Sequence, residues 1–301
     1  MSDEYTPPSV VYGVVYGGGA HDPDYDYGQK SGAGPVEDSG PGPGRGTKTW
    51  VARGIVRDDT LAVDRCAPVD EWFDTVETPV ETPTLTTFLA DLPSTAAAGL
   101  DFPFGLPETL VVEESWTAFL QGFPAWCASP DDLRRQCERR LRLVEGSSDA
   151  RHRATDEPLS AMSPFADSIV ASTFYGIRDV LRPLVLSDTV RVPPMTPPHP
   201  DHPFVLEVYP TGTLVDLDLF VPGYEAPDDD GRTLRAETLD GLAEAGDLHM
   251  DVAADVRKAA VDDLTRLESI VAAYAVYRNT RTASALTVSD SRRLVEGQVF
   301  V

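Results

Sequence analysis

The feature that most limits the possible folds is a run of apolar residues near the start of the chain, at 10–16 (VVYGVVY). Apart from one glycine, its residues are β-branched or aromatic, which is typical of strands. A strand that is apolar throughout, rather than at every second position, is buried on both faces. This run therefore predicts the central strand of a sheet that is covered on both sides.

The amino-acid composition is that of a globular protein, and its net charge excludes one class of function. Hydrophobic residues make up 42% of the 301 residues and charged residues 25%, which is enough apolar material for a sizeable core. With 49 acidic residues against 25 basic ones, the net charge is -24. This balance excludes a protein that coats DNA through bulk positive charge. Only three of the basic residues are lysines. Such an acidic, arginine-rich composition resembles that of cytoplasmic proteins from salt-accumulating halophiles.

Targeting signals are not evident. No apolar run approaches the roughly 18 residues that cross a membrane. The first residues lack the basic and apolar pattern of a secretory signal. We therefore expect a cytoplasmic protein without a membrane partner.

A glycine-rich stretch at 17–46 follows the first strand and contains ten glycines in thirty residues with almost no aliphatic side chains. Such a segment buries too little surface to offset the entropy of ordering it. We predict a disordered insert there. Its glycines do not match a phosphate-binding loop, because no Gly-Lys-Ser/Thr follows.

The remaining chain alternates between strand and helix patterns. A hairpin is predicted from 47–56 and 60–69, and a further strand begins at 96 and ends at Pro103, with Asp101 at its carboxyl end. Another strand covers 204–210, and the last segment, 294–301, is extended. Apolar periodicity predicts helices at 85–92, 113–121, 130–144, 166–181 and 251–277. Ser129 is expected to cap the third of these helices, and Asp251 the last.

Acidic residues in apolar surroundings are the candidates for chemistry, because a buried carboxylate is costly unless it is paired or binds a metal. Asp101 ends a strand, Glu207 lies within one, and Glu268 faces inward on the last helix, with Asp263 second. Carboxylates that converge from strand ends and a packed helix suit a hard divalent ion such as Mg²⁺ or Mn²⁺. The alternative is that Glu207 pairs with an arginine and that Glu268 is half-exposed.

Five segments, taken in order, are similar to those of the domain of unknown function 429 family, predicted RNase H-like nucleases. They are 99–107 (GLDFPFGLP), 172–181 (STFYGIRDVL), 206–212 (LEVYPTG), 267–275 (LESIVAAYA) and 295–301 (VEGQVFV). The resemblance implies a single α/β domain over 1–301 with an RNase H-like mixed β-sheet flanked by helices. Its first three strands would be antiparallel neighbours. Residues 108–200 would form a helical insertion and Pro-rich linker between strands 4 and 5.

The resemblance also implies that Asp101, Glu207 and Glu268 are catalytic metal ligands acting on nucleic acid. One position departs from the family. The first strand there usually reads YGVD, whereas residues 12–15 here read YGVV, so Val15 stands where the first metal-binding aspartate is expected. Asp22, Asp24 and Asp26 are the alternative sources of that ligand, but a flexible loop preorganises a ligand poorly.

Two further groups have weaker patterns. Five arginines of the predicted helix 130–144 and two beyond it could grip phosphates, or they could form a solvated face paired with acidic residues; they are Arg134, Arg135, Arg139, Arg140, Arg142, Arg151 and Arg153. His199 and His202 lie close in sequence without a third nearby ligand, so no zinc site is predicted.

Two functions are therefore consistent with the sequence. The first is a divalent-metal-dependent nuclease of RNase H-like type, weakened by Val15. The second is a catalytically degenerate protein of the same fold that binds nucleic acid or a protein partner without cleavage. An actin-like phosphotransferase is disfavoured, because the glycine-rich phosphate loops and a repeated second domain are missing.

Overall fold

A computed structural model describes residues 5–17, 48–73, 84–144, 149–245 and 248–301. Seven strands form one mixed sheet that is flanked by helices. The strands are β1 (Val10–Val15), β2 (Trp50–Arg57), β3 (Thr60–Pro68), β4 (Ala96–Leu100), β5 (Phe204–Val208), β6 (His249–Val252) and β7 (Val299–Phe300). The predicted insert at 17–46 lies outside the described residues, apart from Gly17.

The strand order is β6-β3-β2-β1-β4-β5-β7, so the prediction that the apolar run forms the central strand is confirmed. β2 runs antiparallel to both β1 and β3, and the predicted hairpin is confirmed. All other neighbours in the sheet are parallel. As a result, β1, β4 and β5 end at the same edge.

Ten α-helices are described: α1 (Leu85–Ala90), α2 (Trp116–Trp126), α3 (Pro130–Leu141), α4 (Val170–Tyr175), α5 (Arg182–Leu186), α6 (Pro210–Asp216), α7 (Asp229–Ala243), α8 (Ala254–Asp262), α9 (Leu264–Asn279) and α10 (Arg293–Glu296). A π-helical turn, Gly176–Leu181, joins α4 to α5. Ser129 caps α3 as predicted, since its hydroxyl accepts from the Asp132 N–H at 3.1 Å. Helices α2 to α5 lie between β4 and β5 in the chain.

The predicted helix 251–277 is wrong at its start and in its continuity, although 254–262 and 264–277 are helical. Asp251 belongs to strand β6 and does not cap a helix, and the helix that follows is interrupted at Asp263. Asp263 has an extended backbone and caps α9, accepting from the Arg266 N–H at 3.1 Å. The apolar stripe stays in phase across this break, so periodicity alone does not reveal it.

Both faces of β1 are buried. Val11 packs in one apolar cluster with α9, and Tyr12 and Val14 pack in the other with α1, α2 and the π-helical region. Helix α9 lies directly on β1 at Gly13, where a Cβ atom would be 2.0 Å from the Ser269 carbonyl oxygen. The glycine in the apolar run is therefore required by close contact between strand and helix.

None of the described helices is long and apolar enough to span a membrane.

Candidate functional site

The carboxyl edge of β4 and β5 holds the candidate site. Asp101 directly follows β4, and its N–H donates to the Val14 carbonyl at 3.0 Å, next to the end of β1. In the adjacent strand, Glu207 is paired in register with Leu100. Asp101 and Glu207 line one cavity of about 70 Å³, together with Arg153, Asp156 and Tyr209. The structure thus brings two of the predicted ligands together.

Glu207 is bound to an arginine, as the alternative interpretation expected. The strand predicted at 204–210 is confirmed as β5, with Leu206 and Val208 in one apolar cluster and Val205 in the other. Glu207 is only 3% exposed. Its two oxygens accept from Arg153 Nη1 at 2.8 Å and Nη2 at 2.5 Å, and Oε2 also accepts from the Phe104 N–H at 2.9 Å. Burial raises the pKa of Glu207, and the Arg153 charge opposes that rise.

Arg153 uses every N–H that a guanidinium can donate. Besides both contacts with Glu207, Nε donates to the two oxygens of Asp156 at 3.1 and 3.0 Å, and Nη2 donates to Asp156 Oδ1 at 2.7 Å. Nη1 also donates to the Glu296 carbonyl at 3.3 Å. Burial disfavours the charge, but Glu207 and Asp156 outweigh that effect and raise the pKa of Arg153. The result is a closed carboxylate–guanidinium–carboxylate centre, which we call the Arg153 centre.

Asp156 and Glu296 were missed by the sequence analysis. Asp156 is fully buried, and its Oδ2 also accepts from the Arg153 N–H at 2.9 Å. The Arg-x-x-Asp spacing at 153–156 was a usable signal, since residues three apart meet within one turn. Glu296 is 5% exposed and lies in the segment 295–301, which was quoted only as a motif.

The other predicted ligands are not among the described residues that line this cavity. Glu268 is 2% exposed on α9, so the expectation that it is half-exposed is wrong. Among the described residues that line the cavity, neither Glu268 nor Asp263 occurs. Val15, the last residue of β1, is 3% exposed and pairs with Trp50. Asp22, Asp24 and Asp26 lie outside the described residues.

The arginines of α3 are mostly engaged within the protein. Arg134 pairs with Asp167 at 2.6 Å and Arg135 with Asp132 at 3.5 Å, as the solvated-face interpretation expected. The Arg140 guanidinium donates to the Leu110 carbonyl and stacks on Trp126. Arg151 stacks on Phe165. Arg139 and Arg142 are exposed, and no Asp or Glu oxygen of the described residues lies within salt-bridge distance of either.

Over the described ranges, no three or more His, Cys, Asp and Glu side chains are grouped so that they could hold a metal ion. His199 and His202 contact each other, with their Nδ1 atoms 3.2 Å apart.

Comparison with protein-family models identifies the family. A model described as a protein of unknown function (DUF429) matches residues 45–291, which is most of the chain. The chain belongs to the DUF429 family. Comparison with curated proteins gave no match, and comparison with solved structures gave none either.

The DUF429 match includes Asp101, Arg153, Asp156 and Glu207, whereas Val15 and Glu296 lie outside it. In this DUF429 protein the oxygens of Glu207 are already occupied by one guanidinium and one backbone N–H. A divalent cation would have to displace Arg153 to reach these oxygens, so Glu207 as arranged does not fit a metal. Coordination of Mg²⁺ or Mn²⁺ by Asp101, Glu207, Asp263 and Glu268 stays a prediction.

Proposed function

We propose that this chain is an RNase H-like protein that binds nucleic acid without cleaving it. The observation that carries the proposal is the Arg153 centre, in which a protein cation occupies both oxygens of Glu207, one of the predicted metal ligands. Val15 supports the same conclusion, since it supplies no ligand from the central strand. In the bound complex, Arg153 keeps Glu207 neutralised and leaves no open coordination position from which a water could be activated.

The topology supports the RNase H-like part of the proposal. β1, β2 and β3 are antiparallel neighbours, helices cover both faces, and acidic residues follow or end the adjacent strands, as that fold is expected to have. A second candidate, metal-dependent hydrolysis, is favoured by one observation: Asp101 and Glu207 share a cavity. The two candidates differ in their response to divalent ions.

The decisive experiment measures thermal unfolding and oligonucleotide cleavage with and without Mn²⁺ or Mg²⁺ at fixed high monovalent salt. High salt is needed because a net charge of -24 otherwise attracts divalent ions non-specifically. We expect no cleavage and the same Tm shift in the wild type as in Asp101→Asn. Metal-dependent cleavage, together with a Tm rise in the wild type that Asp101→Asn abolishes, would establish the hydrolase and overturn the proposal.

Binding is tested separately by fluorescence anisotropy with single- and double-stranded DNA and RNA. Arg139 in α3 and Arg142 directly after it are exposed and available for phosphates. Arg139→Gln/Arg142→Gln should therefore weaken binding and reduce its salt dependence. The matched control is Arg134→Gln/Arg135→Gln, which removes two arginines already paired with aspartates. Equal effects of the two double variants would contradict a specific contact, and no binding of any oligonucleotide would refute this partner.

A further inference from the structure

Glu296 is joined to the Arg153 centre from two sides. Its side chain accepts from the Ala154 N–H through Oε2 at 2.7 Å and from the Glu108 N–H through Oε1 at 2.7 Å. Its own carbonyl accepts from Arg153 Nη1 at 3.3 Å. The side chain thus fixes the backbone next to Arg153 while the main chain fixes the guanidinium. Three separate chain segments, near 108, 153 and 296, meet at this one residue.

The residues after Glu296 continue the contact. Gly297 has φ +96°, and a Cβ there would be 3.2 Å from Glu207 Oε2 and 3.3 Å from Arg153 Nη1. The backbone therefore passes directly against the ion pair, in a conformation that glycine adopts most readily. Val299 pairs with Glu207 across β5 and β7, and its N–H donates to Thr155 Oγ1 at 3.1 Å. Residues 296–299 consequently hold segment 153–156 against the sheet edge.

From this arrangement we infer that Glu296 is a positioning residue, which keeps the Arg153 guanidinium between Glu207 and Asp156 and so keeps divalent cations out. The inference rests on the proposed function and adds how the centre is kept closed. A loosened segment 153–156 would let Arg153 move toward solvent. The oxygens of Glu207 would then be free of the guanidinium in the cavity that Asp101 also lines, and carboxylate oxygens suit Mn²⁺.

The test compares Glu296→Gln with the wild type in the full-length chain. Glutamine keeps the shape but presents an NH₂ group to one of the two N–H donors, so one hydrogen bond is lost. We expect Mn²⁺ to raise the Tm of Glu296→Gln by several degrees, the size expected for an ion at about 100 times its Kd. Titration of free Mn²⁺ by electron paramagnetic resonance should show one bound ion, which Glu296→Gln/Asp101→Asn should lack.

A matched control separates positioning from general destabilisation. Ser129→Ala removes the side-chain cap of α3, away from the centre, and lowers stability in the same way as any lost helix cap. It should gain no Mn²⁺ binding. Thr155→Val removes the acceptor of the Val299 N–H and should also gain Mn²⁺ binding, although weaker than that of Glu296→Gln. This second variant tests the inference if Glu296→Gln does not fold.

A pH profile gives a second readout. Burial raises the pKa of Glu296 above its usual 4.5, so the folded state keeps a proton that the unfolded state loses. The stabilisation linked to that proton is therefore fully present below pH 4.5 and is lost as the pH rises through the raised pKa. Because glutamine does not titrate, the stability of Glu296→Gln relative to the wild type should increase over this window. The Ser129→Ala profile should follow that of the wild type.

The outcomes distinguish the two proposals. If the wild type itself binds Mn²⁺ at Asp101, the proposed function fails. If neither the wild type nor Glu296→Gln and Thr155→Val bind Mn²⁺, the positioning role alone is refuted.

Discussion

Replacing Arg153 with methionine should destabilise the fold by about 3–5 kcal/mol, the usual cost of removing one partner from a buried ion pair. Arg153 is 2% exposed, and it neutralises two carboxylates that are themselves 3% exposed (Glu207) and fully buried (Asp156). Methionine fills much of the same volume without donating, so both carboxylates would be left uncompensated. Since domains are stable by about 5–15 kcal/mol, this loss would be a large fraction of the total.

The assay is urea unfolding followed by tryptophan fluorescence, with Arg153→Met, Glu207→Gln and the double variant forming a thermodynamic cycle. In the double variant one unpaired charge has been removed, so its loss should be smaller than the sum of the single losses by about 0.5–3 kcal/mol. Arg153→Lys should fall between wild type and Arg153→Met, because an ammonium offers three N–H donors where the guanidinium has five. A loss below about 1 kcal/mol for Arg153→Met, or additive losses in the cycle, would refute the energetic role assigned to the centre.

Two other substitutions test the fold and the ligand set. Gly13→Ala should lower the free energy of unfolding by at least about 3 kcal/mol, because its Cβ would lie 2.0 Å from Ser269 O and 2.1 Å from Ala273 N in the backbone of α9. Gly122→Ala is the control, since its Cβ meets only the Glu113 side chain at 3.4 Å. It should be tolerated in the same urea assay. Asp263→Ala should lower the free energy of unfolding by about 1 kcal/mol and Asp263→Asn by much less, as expected for a helix cap. If Mn²⁺ instead shifts the Tm of the wild type but not that of the Asp263 variants, Asp263 is a metal ligand.

Local patterns predicted much of the fold. The apolar and β-branched residues at 10–16 and in the hairpin after it are enough to predict buried strands. Ser129-Pro130 is a local signal for the start of a helix. Strand β6 was missed because its outward residues, His249 and Asp251, are exposed and its apolar content is small. The break at Asp263 was missed because helices α8 and α9 share one apolar stripe.

The site was predictable only in part. That Glu207 would be buried, and would need either a metal or an arginine, follows from a carboxylate placed in an apolar strand. Which arginine it would be does not follow, since Arg153 and Glu207 are 54 residues apart and Arg153 and Glu296 are 143 apart. Such contacts depend on the assembled sheet edge and leave no spacing pattern in the chain.

Every N–H of the Arg153 guanidinium already donates a hydrogen bond, and this limits which mutations the Arg153 centre tolerates. Val15→Asp alone would bury an uncompensated carboxylate at the end of β1, because Val15 is 3% exposed and every N–H of Arg153 is already used. Loss of Arg153 alone would leave Glu207 and Asp156 uncompensated. Each single loss within the centre therefore passes through a less stable protein. Substitutions at Arg153, Glu207 and Asp156 should consequently be tolerated better in pairs than alone, so these three positions are expected to vary together.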